Sequence, residues 1–92
     1  SIMFQADGLD QRPTEFTSTF DTELAVETAD LCATRCYQNG CTGAVFVAEQ
    51  RQCKLGFGDK HLCTYGSLVS HFVPQNVNDQ IWIHCVSCRE CF

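Results

Sequence analysis

The chain has 92 residues, 45% of them apolar and 18% charged, with eight cysteines and a net charge of −5. That composition is too apolar for a disordered chain, and the length suits one domain, residues 1–92, with no room for a second core. Six Lys and Arg against eleven Asp and Glu supply no basic face for nucleic acid or an anionic membrane. The longest purely apolar run, residues 44–48, falls far short of the roughly 20 residues that span a bilayer.

In chain order, residues 1–13 read as a loop or a short edge strand, with Phe4 and Leu9 apolar among Asp7, Gly8, Asp10 and Pro13. They contain no basic start followed by an apolar stretch, as in a mature chain or an excised domain. In residues 14–20, Phe16 and Phe20 share one face of a predicted half-buried strand. A helix begins near Thr28, whose hydroxyl suits an N-cap, with Asp30 in the first turn where the helix dipole favours negative charge. Asn39-Gly40 supplies a left-handed stop after about three turns. Two strands follow, over 42–49 and 51–57, close enough to form a hairpin; Cys53, Leu55 and Phe57 would share one face and Gln52 and Lys54 the other. Two more are predicted over 68–73 and 80–86. In the last, Ile81, Ile83 and Cys85 point one way and Trp82, His84 and Val86 the other.

Eight cysteines in so short a chain are the mark of a secreted, oxidised scaffold with up to four disulfides. Cys32 and Cys36 lie four apart on one helix face, with Cβ atoms about 5–6 Å apart against about 3.8 Å in a disulfide. They do not pair with each other, so each reaches a different part of the chain.

The segment T-A-D-L-C-A-T-R-C-Y-Q-N-G-C-T-G-A-V-F-V-A-E-Q-R-Q-C-K-L, residues 28–55, resembles the core of a PAN/apple domain. It has the capped helix with two cysteines four apart, a third cysteine, an apolar strand, and a fourth cysteine in a Cys-x-Leu strand. The resemblance implies an α+β fold, small and disulfide-rich, in which a curved antiparallel sheet wraps around one central helix. It also implies the pairs Cys32–Cys53 and Cys36–Cys41. An apple domain joins a cysteine near its start to one near its end, whereas here no cysteine precedes Cys32. Cys63, Cys85, Cys88 and Cys91 therefore have three internal connectivities open to them. Cys85, on the face of Ile81 and Ile83, is expected to be buried and to pair with Cys63, leaving Cys88 with Cys91. Cys91 joined to another chain, or to a further segment of a longer protein, is the alternative.

The sharpest rival motif is C-V-S-C-R-E-C, residues 85–91, which with His84 or His61 offers the start of a zinc or iron–sulfur site. A second matching cluster is missing, so no metal or other cofactor is expected. A redox role for Cys85-x-x-Cys88 needs a following helix to lower a thiol pKa, and no helix is predicted there. His61, His71 and His84 stand in no arrangement with a nucleophile and a carboxylate, and Ser67 and Ser70 lack a nucleophile elbow. No enzyme is expected. Trp82 reads either as packed against the domain or as an exposed aromatic platform. Arg51, Lys54, Lys60 and His61 form a small basic stretch, diluted by Glu49 and Asp59. These five residues are the expected ligand contacts. The family resemblance implies recognition outside the cell, with an extracellular protein as the first expected partner and a glycan as the second. A cross-linked matrix or coat component is the third reading. The chain is expected to be a monomer or a disulfide-linked homodimer.

Overall fold

The computed structural model describes residues 2–9, 20–58, 68–73 and 80–88. Within them lie strand β1 (Ile2–Leu9), strand β2 (Phe20–Ala25), helix α1 (Ala29–Asn39) and strands β3 (Gly43–Val47), β4 (Gln52–Gly56) and β5 (Gln80–Cys88). The five strands form one sheet in the order β1-β5-β3-β4-β2, and every pairing is antiparallel. The fold is therefore α+β, with the helix packed on one face of the sheet.

Helix α1 is set by its ends. The Thr28 hydroxyl accepts from the Leu31 amide at 3.3 Å, satisfying one of the donors the first turn leaves free. At the other end Gly40 takes φ of 72°, and its amide closes on the last turn. The inner stripe Ala29, Cys32, Ala33 and Cys36 is buried, at the i, i+3, i+4, i+7 spacing of one helix face. Its small side chains let the helix approach the sheet closely. Opposite them stand Phe4, Phe46, Leu55, Ile81, Ile83 and Val86, which with the helix stripe make up the main core.

Cys32 pairs with Cys53 and Cys36 with Cys41, at Cα separations of 5.3 Å and 4.9 Å, within the ordinary disulfide range. These are the two pairs the resemblance implies. The first ties the helix to β4 across 21 residues, a closure worth about 3 kcal/mol in the loop-entropy model. Cys85 and Cys88 are also disulfide-bonded. Cys63 and Cys91, and with them the expected Cys63–Cys85 and Cys88–Cys91 pairs, lie outside the described residues.

Hairpin β3–β4 forms as expected, with Phe46 opposite Cys53 and Ala44 opposite Leu55. Thr42 anchors its base: the Thr42 amide donates to the Gly56 carbonyl at 2.9 Å, and the Thr42 hydroxyl accepts from Gly58 at 2.7 Å. Phe57 departs from expectation. It lies beyond β4 and is half exposed, because the strand ends at Gly56 before its side chain can turn inward.

Two further expectations are corrected, those for residues 68–73 and for Cys85. Residues 68–73 form no strand; a single bridge joins Val69 to Phe4 on β1, with hydrogen bonds of 2.8 and 2.9 Å. Strand β2 covers Phe20–Ala25, and the strand expected over 14–20 lies, apart from Phe20, outside the described residues. Cys85 does not share the face of Ile81 and Ile83. Between the pairs Gln5↔His84 and Met3↔Ser87, β5 carries two residues against one on β1. This β-bulge puts Cys85 at φ of 53° and turns Val86 into the core in its place.

Candidate functional site

A cleft of about 260 Å³ opens at the N-terminal end of α1. Its floor is apolar: Ala29 from the first helical turn, Phe46 and Ala48 from the end of β3, and Phe72 and Val73 from the segment that follows the Val69 bridge. Its rim is polar, formed by Glu27, Thr28, Arg51 and His71.

Local geometry holds these groups together. The β3–β4 turn returns on itself through hydrogen bonds from Gln50 to Val47 and from Arg51 to Ala48, at 3.2 and 3.3 Å. Arg51 closes it in the left-handed region, with φ of 52°. Its carbonyl accepts from the Val26 amide at 3.2 Å, which fixes the approach to the helix against the turn. Across the rim the Arg51 guanidinium stands 3.6 Å from Glu27, with both side chains more than 70% exposed. His71 Nδ1 stands 3.4 Å from the Asp30 carboxylate, which joins the 68–73 segment to the first helical turn. The exposed Glu27–Arg51 pair contributes about 0–1 kcal/mol, so that side of the rim rearranges at small cost. The cleft has an apolar floor suited to a side chain and a charged edge suited to a polar neighbour.

Of the five residues expected to contact a ligand, the structure places only Arg51 on this cleft. Lys54 sits on the sheet face turned away from the helix, 4.0 Å from Glu23. Each described cation of the basic stretch has a carboxylate beside it. Lys60 and His61 lie outside the described residues. Trp82 is no exposed platform. It is 4% exposed, packed with Val45 and half-buried Phe20, its ring centroid 6.0 Å from that of Phe20. The reason lies in the register: on that face Phe20, Gly56, Gly43 and His84 follow one another across four strands, and two glycines leave space for an aromatic ring to lie over the sheet toward Trp82.

Sequence reasoning missed Glu27, His71, Phe72 and Val73. Glu27 carried a signal, standing immediately before the N-cap Thr28. The others are brought to the helix by the Val69 bridge, which no local pattern announces. The Cys85–Cys91 motif offers no thiolate at Cys85 or Cys88, because both are oxidised, and the described residues hold no cluster of metal-ligating side chains. His84 is buried across from Gln5 on the Trp82 face, well inside the sheet.

No family model matches the chain, and neither a curated protein nor a solved structure does. The likeness to PAN/apple domains rests on the motif of residues 28–55.

Proposed function

We propose that this chain is an extracellular recognition module of the PAN/apple kind that binds a protein partner. The observation that carries the reading is the oxidised state of the cysteines. All six described cysteines are in disulfides, a state that persists in oxidising compartments and not in a cytosol. Helix α1, tied to β4 by Cys32–Cys53, borders at its N-terminal end a cleft with an apolar floor and a charged rim, the chemistry of a protein-binding anchor site. An exposed tryptophan would have favoured the carbohydrate reading, and Trp82 is buried.

The reading is tested by probing arrays of extracellular proteins and of glycans with the intact oxidised chain. Capture by one or a few proteins, abolished when the disulfides are reduced, is the expected result. Binding confined to glycans overturns the protein-partner reading, and binding indifferent to reduction overturns the role of the scaffold.

A further inference from the structure

We propose that the cleft at the head of α1 docks a basic segment of an extracellular protein, with one large apolar side chain over Phe46 and Phe72 and a neighbouring Lys or Arg on Glu27. The inference rests on the reading of the chain as a recognition module and adds the chemistry of the partner.

Three observations carry it. The first is size. About 260 Å³ lies below the roughly 300–1,000 Å³ of clefts that enclose a whole small molecule. It suits a single anchoring side chain.

The second is the mouth of the cleft. Val73 lines it and is 65% exposed. A ligand confined to the cleft leaves this side chain in water, whereas a polypeptide passing over the rim covers it. Buried apolar anchors surrounded by a polar rim are where protein interfaces concentrate their affinity.

The third is charge. Among the described residues, Glu27 on the rim stands by the one permanent cation there, Arg51, and a second carboxylate, Asp30, stands beside His71. The whole chain carries −5. A basic segment is drawn to this edge and an acidic one repelled. Because the Glu27–Arg51 pair is exposed and weak, an incoming guanidinium or ammonium takes the Glu27 carboxylate while Arg51 swings into water.

The test pans a display library of random dodecapeptides on the intact oxidised chain and measures the affinity of the enriched peptides. Expected are peptides carrying Leu, Ile, Met or Phe next to Lys or Arg. Their binding falls at least tenfold for Glu27→Lys and for Ala48→Trp, which fills the cleft. Glu23→Lys makes the same change in net charge on the opposite sheet face and should alter affinity less than twofold. Glu27 is exposed, so its substitution leaves folding intact even if the Ala48 variant misfolds. Enriched peptides that are acidic or lack an apolar anchor, equal losses at Glu23→Lys and Glu27→Lys, or no enrichment at all overturn the proposal. The array experiment separates the two readings: a protein partner whose affinity is unmoved by Glu27→Lys and Ala48→Trp sinks the cleft assignment alone, and the absence of any protein partner sinks both.

Discussion

Trp82 and Gly40 show how single residues settle questions that pattern leaves open. Trp82 is the only tryptophan, and its burial against Val45 and Phe20 makes it a reporter of the sheet face turned away from the helix. Acrylamide should quench its fluorescence several-fold less in the native chain than in the chain unfolded by denaturant. Equal quenching in the two states would place it in water and restore the platform reading. Gly40 is a cleaner case of backbone demand. A Cβ there meets nothing within 4 Å, so the cost of Gly40→Ala comes from φ of 72° alone. That cost is about 1 kcal/mol, or roughly 4–8 °C in melting temperature for a domain of this size. An unchanged melting temperature would contradict the assigned cap.

At the scale of elements, what was legible in the sequence was local. Helix α1 could be read because Thr28, Asp30 and Gly40 act within a turn of where they stand, and hairpin β3–β4 because its two runs are joined by a short link. Replacing Thr28 with alanine removes the hydroxyl that accepts from Leu31, and should cost about 1 kcal/mol in a denaturant titration with unchanged slope. A cost below about 0.3 kcal/mol would mean that the cap does not hold the helix. The elements that escaped reading depend on distant partners. Among the described residues strand β2 pairs only with β4, and of its residues 20–25 only Phe20 and Leu24 are withdrawn from solvent to any extent, too few for an alternating signal. Strand β5 lies between β1 and β3, with Ile81, Trp82, Ile83 and His84 all buried, so alternation there says nothing about which side faces the helix. The bulge at Cys85 is invisible for the same reason: a cysteine fits either face, and only the pairing with β1 reveals the extra residue. The cleft was half legible. Arg51 stood out as a cation, while Phe72 and Val73 reach the helix through the Val69–Phe4 bridge.

For the molecule as a whole, stability is divided between a small core and its cross-links. Chains of this size bury a modest fraction of their surface, and disulfides supply what the core lacks. Removing Cys32–Cys53 by double alanine substitution should cost about 3 kcal/mol and removing Cys36–Cys41 about 2 kcal/mol, in that order because the closed loops differ in length. Urea midpoints of the two variants check the order, and a reversed order would show that native packing outweighs chain entropy here. Both the fold and the extracellular reading hang on the oxidised cysteines, so the most direct measurement is disulfide mapping of the chain secreted from eukaryotic cells and digested without reductant. Linked peptides for Cys32–Cys53 and Cys36–Cys41 are expected, with Cys85 and Cys88 both oxidised. Free thiols at these positions, or a Cys32–Cys36 link, would contradict that reading.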